Sequence, residues 1–297
     1  PGPAGPREAV PGPAGPRQAV PGPAGPGEAV AGPGLALRNP RVQRLRRLAH
    51  QPRARRAEGA YVVEGEKLLV AALAAGAPVE AVYAAPGYGG ALTATGPPTG
   101  VAVQALAPGV LERVSATVSP QPVVGVVTMV HSDLAGLRDM ARAYDGPVVV
   151  CVDVRDPGNL GTVLRSAQAA GAVGVVCCDG TADAYGPKCV RASAGAVFQL
   201  PMVSGGAPME VLEELGSWGM RRLGARATGG TVYDAADLTG PLALVLGNEA
   251  HGLDPAVESL LDGVVTIPMA PPAESLNVGA AAAILCFEAA RQRRARR

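Results

Sequence analysis

The 297-residue chain lacks most of the features that announce an enzyme class. Its five cysteines (Cys151, Cys177, Cys178, Cys189 and Cys286) form no C-x-x-C pair and share no metal-ligand spacing with the three histidines. No metal site is therefore expected. An odd number of thiols scattered through apolar segments reads as buried and reduced, as in a cytoplasmic protein, and the adjacent Cys177 and Cys178 point to opposite faces of a strand. The longest apolar run, Gly279 to Phe287, is far too short to span a membrane. No basic-then-apolar leader pattern opens the sequence. No G-x-G-x-x-G follows a strand, and no Walker loop, G-x-S-x-G elbow or paired catalytic carboxylates occur, which removes the common dinucleotide, nucleotide and serine-hydrolase readings. The net charge is only +1, so the overall balance says nothing about a polyanionic partner.

What is present is unevenly distributed. Residues 1–30 are three near-copies of a ten-residue unit beginning Pro-Gly-Pro-Ala-Gly-Pro. Glycine does not recur at every third position, which excludes collagen, and the unit has almost no apolar bulk to bury, so residues 1–37 are expected to be a disordered tail. Between Arg38 and Arg56 lie eight arginines and no acid, and the chain closes on Arg291, Arg293, Arg294, Arg296 and Arg297. Two basic ends suit an RNA partner, although solvated helix faces account for them equally well on charge alone.

From 38 to 128 short helices and strands alternate. The spacing predicts a basic amphipathic helix over Arg41–Leu48, strands at Tyr61–Val63, Val79–Tyr83, Val101–Gln104 and Val123–Val127, helices at Glu66–Ala75 and Pro108–Val114, and a loop over Gly87–Gly100. Residues 129–145 read as a linker with a short helix. Residues 146–297 form an α/β pattern. Uninterrupted apolar strands at Val148–Val154, Val173–Val176, Leu242–Leu246 and Val264–Ile267 alternate with helices at Leu160–Gly171, Met209–Met220 and Leu276–Arg291. Such strands belong to a parallel sheet covered on both faces, with a nucleotide-type ligand at the carboxyl ends of its strands.

Three loops in this second domain concentrate small and polar residues. In Asp156-Pro157-Gly158-Asn159 the Pro-Gly pair breaks the strand, and Asn159 sits where a helix N-cap belongs. Arg165 follows on the same helix, on a face shared with Gly161 and Thr162, and taken alone would be an ordinary exposed arginine. In Leu246-Gly247-Asn248-Glu249-Ala250-His251-Gly252, Gly247 permits close approach of a ligand to the backbone and Glu249 adds a charge. In Ile267-Pro268-Met269 and Ser275-Leu276-Asn277-Val278, Ser275 and Asn277 read as caps of the last helix.

These loops, in this order, resemble the SpoU/TrmH family of RNA ribose 2′-O-methyltransferases, members of the knotted SPOUT superfamily. The resemblance covers about 146–294 and places the second and third loops on neighbouring strands. The segments Asn39-Pro40-Arg41-Val42, Tyr61–Gly65 and Ser119–Val123 are similar to the substrate-binding domain that precedes many such catalytic domains. It implies a trefoil-knot α/β domain behind a smaller α/β RNA-binding domain, S-adenosyl-L-methionine as cofactor, and a homodimer acting on structured RNA, with 23S ribosomal RNA favoured over tRNA. By resemblance, Leu246, Gly247, Ile267, Met269, Ser275 and Leu276 hold the cofactor. Arg165, Asn159, Glu249, Ser275 and Asn277 shape the methyl-transfer site, while Arg41, Arg44, Arg47 and Arg191 contact RNA. Arg191 could equally be a surface ion pair. Whether Arg165 is a general base or an electrostatic stabiliser stays open, although a guanidinium that keeps its proton above about pH 12 is a poor acceptor. The rival readings are a catalytically silent RNA-binding or ribosome-assembly factor and a base-methylating SPOUT enzyme. The common pattern has serine at the position of Gly279.

Overall fold

A computed structural model describes residues 34–94, 101 and 103–296; the repeats, most of the expected tail and the end of the Gly87–Gly100 loop lie outside the described residues. The first unit comprises α1 (Pro40–His50), α2 (Pro52–Glu58), β1 (Ala60–Glu64), α3 (Glu66–Ala74), β2 (Val79–Ala84), α4 (Ala91–Ala94), β3 (Val103–Ala105), α5 (Val110–Val114) and β4 (Val123–Thr128). Asn39 caps α1 by accepting from the Arg41 backbone N–H, and Pro40 occupies the first helical position, where no N–H is needed. The four strands run in the order β1-β4-β2-β3, with β4 antiparallel to both neighbours and β3 parallel to β2. Val42, Leu45 and Leu48 of α1 and Leu111 and Val114 of α5 pack on one face of this sheet.

The second unit adds α6 (Leu134–Ala143), β5 (Val148–Cys151), α7 (Pro157–Ala169), β6 (Gly174–Cys177), α8 (Pro187–Ala192), β7 (Met202–Ser204), α9 (Pro208–Ser217), β8 (Arg221–Arg226), β9 (Thr231–Val232), β10 (Leu242–Leu246), α10 (Pro255–Glu258), β11 (Gly263–Thr266) and α11 (Val278–Ala295). Its seven strands are all parallel, in the order β7-β6-β5-β10-β8-β11-β9. Helices α7, α8 and α11 cover one face, and α6 and α9 cover the other. Strands buried on both faces have no polar side to present, which is why their sequences are continuous Val and Leu. Among the described residues no helix is long and apolar enough to cross a membrane.

Three sequence expectations change. The segment read as a linker contains α6, whose Leu137 is fully buried against Val148 and Val150, so it belongs to the core of the second unit. The first strand stops at Cys151, because Asp153 takes a left-handed backbone (φ 54°). Strand β8 lies between β10 and β11, so the second and third loops leave strands one apart rather than adjacent ones.

The units share one core. Tyr61 of β1 and Tyr185, just before α8, place their rings 4.8 Å apart, and Tyr185 Oη donates to Val130 O at 3.1 Å. Arg55, 3% exposed, donates to Asp183 Oδ2 through Nη2 at 2.6 Å and to Leu48 O through Nη1 at 2.7 Å.

Candidate active site

The three loops meet at the carboxyl end of the parallel sheet. Pro157 is the first residue of α7, so the cap is Asp156 and not Asn159. Asp156 Oδ1 accepts from the backbone N–H of Gly158 at 2.7 Å and of Asn159 at 3.0 Å. Its other oxygen accepts from Lys188 Nζ of α8 at 2.6 Å. The lysine, then the backbone donors of the helix, hold this carboxyl below its ordinary value.

Displaced from the cap, Asn159 has its side chain free to bridge the other two loops. Its Nδ2 donates to Glu249 Oε1 at 3.0 Å, and its Oδ1 accepts from Asn277 Nδ2 at 2.7 Å. Glu249 also accepts the backbone N–H of Asp156 (3.0 Å) and of Arg155 (3.1 Å). Partial burial works against its charge, but the bonds from Asn159 and the backbone N–H groups outweigh that and keep the carboxyl below its usual value. Asn277 is the N-cap of α11, accepting from Gly279 N at 2.9 Å. Ser275, expected as a second cap, makes no such bond and instead lines the cavity described next.

That cavity, about 390 Å³, is bounded by Leu246, Gly247, Glu249, Ile267, Met269, Ser275 and Leu276, the residues expected around a cofactor. Gly247 has a reason different from the expected one. A Cβ there would sit 2.5 Å from the backbone of Gly252, so its smallness serves the tight return of its own loop. The volume suits a nucleoside-sized ligand. Leu276 is 41% exposed, apolar surface placed for a flat ring to cover, beside loop peptide groups and the anionic Glu249. This donor set fits the adenosyl and sulfonium portions of S-adenosyl-L-methionine.

Sequence reasoning missed part of the wall. Ala225, Arg226, Ala227 and Thr228 come from the end of β8, which reads as polar and was not expected as a strand. Asn248 was also passed over. Its Nδ2 donates to Asp153 O at 2.9 Å and to Asp153 Oδ2 at 3.0 Å, while its Oδ1 accepts from the backbone of Ala250 and His251. It thereby closes the second loop and holds Asp153 in its strained conformation.

Other expected residues lie elsewhere. Arg165 is exposed on α7, makes no hydrogen bond or ion pair among the described residues, and does not line the cavity. Arg191 sits at the seam between the units, its Nη1 4.0 Å from Glu64 Oε2. Arg41 donates to Gln104, Arg44 pairs with Glu58 and Glu80 at 2.7 Å each, and Arg47 pairs with Glu58 at 3.2 Å. All five cysteines are buried free thiols, and no group of metal-ligating side chains occurs among the described residues.

A parallel sheet whose carboxyl-end loops close around a nucleoside-sized cavity defines an α/β enzyme of the ligand-at-the-switch-point kind. Residues 146–287 match the SpoU rRNA Methylase family, and residues 39–125 match the MRM3-like substrate binding domain. The 23S rRNA (guanosine(2553)-2′-O)-methyltransferase RlmP of Bacillus subtilis (strain 168) is 37% identical over 190 residues, covering 64% of this chain and 73% of that one. The 23S rRNA (uridine(2479)-2′-O)-methyltransferase of Streptomyces viridochromogenes is 38% identical over 193 residues, covering 59% of this chain and 62% of that one. The crystal structure of the SpoU methyltransferase AviRb from Streptomyces viridochromogenes in complex with AdoMet superposes with a TM-score of 0.75 at 32% identity, covering 86% of this chain and 100% of that one. The chain belongs to the SpoU rRNA methylase family.

Proposed function

We propose that this protein transfers a methyl group from S-adenosyl-L-methionine to a ribose 2′-hydroxyl of structured RNA, with 23S ribosomal RNA as the favoured substrate. The observation that carries this reading is the Glu249–Asn159–Asn277 bridge, which joins all three loops beside a cavity of nucleoside size. When bound, the cofactor supplies a methyl on a positively charged sulfur, the leaving group of an SN2 transfer to the ribose oxygen. Leu246, Ile267, Met269 and Leu276 provide the apolar walls for adenosine, and the peptide groups around Gly247 provide edge contacts. Glu249 contributes negative charge near the sulfonium, and Asn159 and Asn277 fix the distance between that wall and α7. Arg165 holds the substrate phosphate or stabilises the alkoxide that develops as the 2′-hydroxyl loses its proton.

Arg165 stands outside the cavity lining, so this reading includes a homodimer in which the arginine of one protomer serves the cavity of the other. Phe287, 48% exposed on α11, supports a partner surface on that helix. The knotted path of α11 belongs to the same reading. A Cβ on Gly279 would lie 2.9 Å from Thr162 Cβ, so α11 passes α7 with no room for a side chain. Arg191 remains a proposed substrate contact at the seam, and the cytoplasm is the compartment in which this activity would be exerted.

The test is transfer of radiolabelled methyl from S-adenosyl-L-methionine to ribosomal RNA and, separately, to tRNA, with Arg165→Ala beside the parent protein. A 2′-O-methyl ribonucleoside in ribosomal RNA, reduced about 100-fold or more by the substitution, is expected. Absence of S-adenosyl-L-methionine binding, with no transfer to either RNA, would replace this reading with that of a silent RNA-binding factor.

A further inference from the structure

The basic helix α1 divides into two faces with different electrostatic fates. On one, Arg44 and Arg47 are drawn into ion pairs with Glu58 and Glu80, acids supplied by α2 and β2. On the other, Arg46 projects into a groove of about 580 Å³ between the end of α1 and α5, together with Gln43, His50 and Arg113, and Arg47 reaches the same groove while paired with Glu58. Arg46 and Arg113 are exposed and make no ion pair or hydrogen bond among the described residues. The lone acid in the groove lining is Glu112, and His50 is oriented by its Nε2 contact with Val114 O at 3.1 Å. The groove is therefore a trough lined by polar and charged side chains, with positive charge in excess. Such a trough suits a sugar–phosphate strand, whose charges are regularly spaced and whose ribose edges hydrogen-bond.

Its inner end is tied to the catalytic unit. Ser115, which closes the groove, donates to the buried carboxylate of Glu64 at 2.9 Å, and Glu64 faces Arg191 of α8. Helix α8 in turn packs on α7 at Gly161, where a Cβ would come within 2.5 Å of Ala192 Cβ. The end of β1 and helix α8 therefore connect the groove to α7, which carries Arg165.

We propose that this α1–α5 groove grips the backbone of the RNA substrate, with Arg46 and Arg113 as phosphate contacts, while Arg44 is a structural ion-pair residue and Arg47 lines the groove with its charge shared with Glu58. This rests on the RNA-methylation reading above.

The test uses the full chain and an unmodified 23S ribosomal RNA transcript, comparing the parent with Arg46→Ala/Arg113→Ala, with each single variant, and with Arg142→Ala, a single charge loss on α6. Binding is measured from 50 to 300 mM salt, alongside cofactor affinity, thermal midpoint and methyl transfer at saturating RNA. The double variant is expected to bind about tenfold or more weakly. The slope of log affinity against log salt should fall by roughly 1.5, two contacts at about 0.7–0.9 each. Cofactor affinity, thermal midpoint and turnover at saturating RNA stay at parent values, and Arg142→Ala leaves the slope unchanged. A double variant with parent affinity and slope, or an equal loss in Arg142→Ala, overturns the groove while leaving the catalytic reading intact if the parent methylates RNA. A groove-dependent slope without any methyl transfer retains the groove and removes the catalytic reading. Absence of RNA binding by the parent overturns the groove outright.

Discussion

Replacing Asn159 with aspartate turns the bridge against itself. The nitrogen that donates to Glu249 Oε1 at 3.0 Å becomes an oxygen, leaving two carboxylates about that far apart. Two unit charges at that separation repel by roughly 1.4 kcal/mol in a water-like dielectric and about twice as much at half that dielectric. The lower figure applies, because Glu249 is exposed and solvent screens it. Losing a hydrogen bond to a charged acceptor adds about 1.5 kcal/mol. The sum, about 3 kcal/mol, corresponds to a fall of roughly 100-fold in kcat/KM near pH 8. The same repulsion raises the proton affinity of the pair, so it takes up a proton at a higher pH than Glu249 does in the parent, and an O–H···O bond then restores the bridge. In the parent the sign is opposite. Glu249 is depressed from 4.5, so its contribution is present above that value and fades only as pH falls through its lower folded value. Single-turnover methyl transfer from pH 5 to 8.5 separates the cases. Relative to the parent, Asn159→Asp should recover about tenfold on acidification, whereas Asn159→Ala should lose activity evenly at all pH values. Parent-like activity of Asn159→Asp at pH 8, or a profile that parallels Asn159→Ala, would refute the bridge.

Two further substitutions probe the frame around the site. Asn248→Ala removes the clamp on Asp153, whose left-handed backbone costs on the order of 1–3 kcal/mol and persists only while its partners hold it. Calorimetry should show S-adenosyl-L-methionine binding about tenfold more weakly, and an unchanged Kd would show that the clamp is idle. Arg55→Ala leaves Asp183 and two carbonyls of α1 without their donor at a buried seam, which should cost about 3 kcal/mol or more and appear as a lower thermal midpoint. A shift of less than about 2 °C would mean that the seam does not depend on the pair.

Much of the second unit was legible because its strands are buried on both faces. Val148–Cys151 and Leu242–Leu246 could hardly be anything but central parallel strands. Strand β8 was not, since Arg221-Arg222-Leu223-Gly224-Ala225-Arg226 carries charges that the structure satisfies from a distance, Arg222 pairing with Asp262 at 2.8 Å. Without that strand, Arg226 and Thr228 could not be placed at the cavity. The cap of α7 was misassigned although its signal was present. Proline favours the first helical position, which makes the preceding Asp156 the cap and releases Asn159. The pairing of Arg44 with Glu58 and Glu80 had no local signal. The acids lie 14 and 36 residues away, and only the packing of α1 against α2 and β2 brings them together.

The bridge also explains why cap and site coincide. Asn277 uses Oδ1 to cap α11 and Nδ2 to hold Asn159, 118 residues earlier in the chain. The start of α11 carries the cavity wall through Leu276 and Val278, and the start of α7 leads to Arg165. A shift of α11 large enough to move that wall would break the 2.7 Å contact to Asn159, and through Glu249 would disturb the backbone of Arg155 and Asp156. The cavity wall and α7 are therefore held in one register by three side chains from three loops. The cost of removing any two of them should be shared rather than additive, because loss of Asn159 releases both partners and loss of Glu249 or Asn277 leaves Asn159 held at one end only.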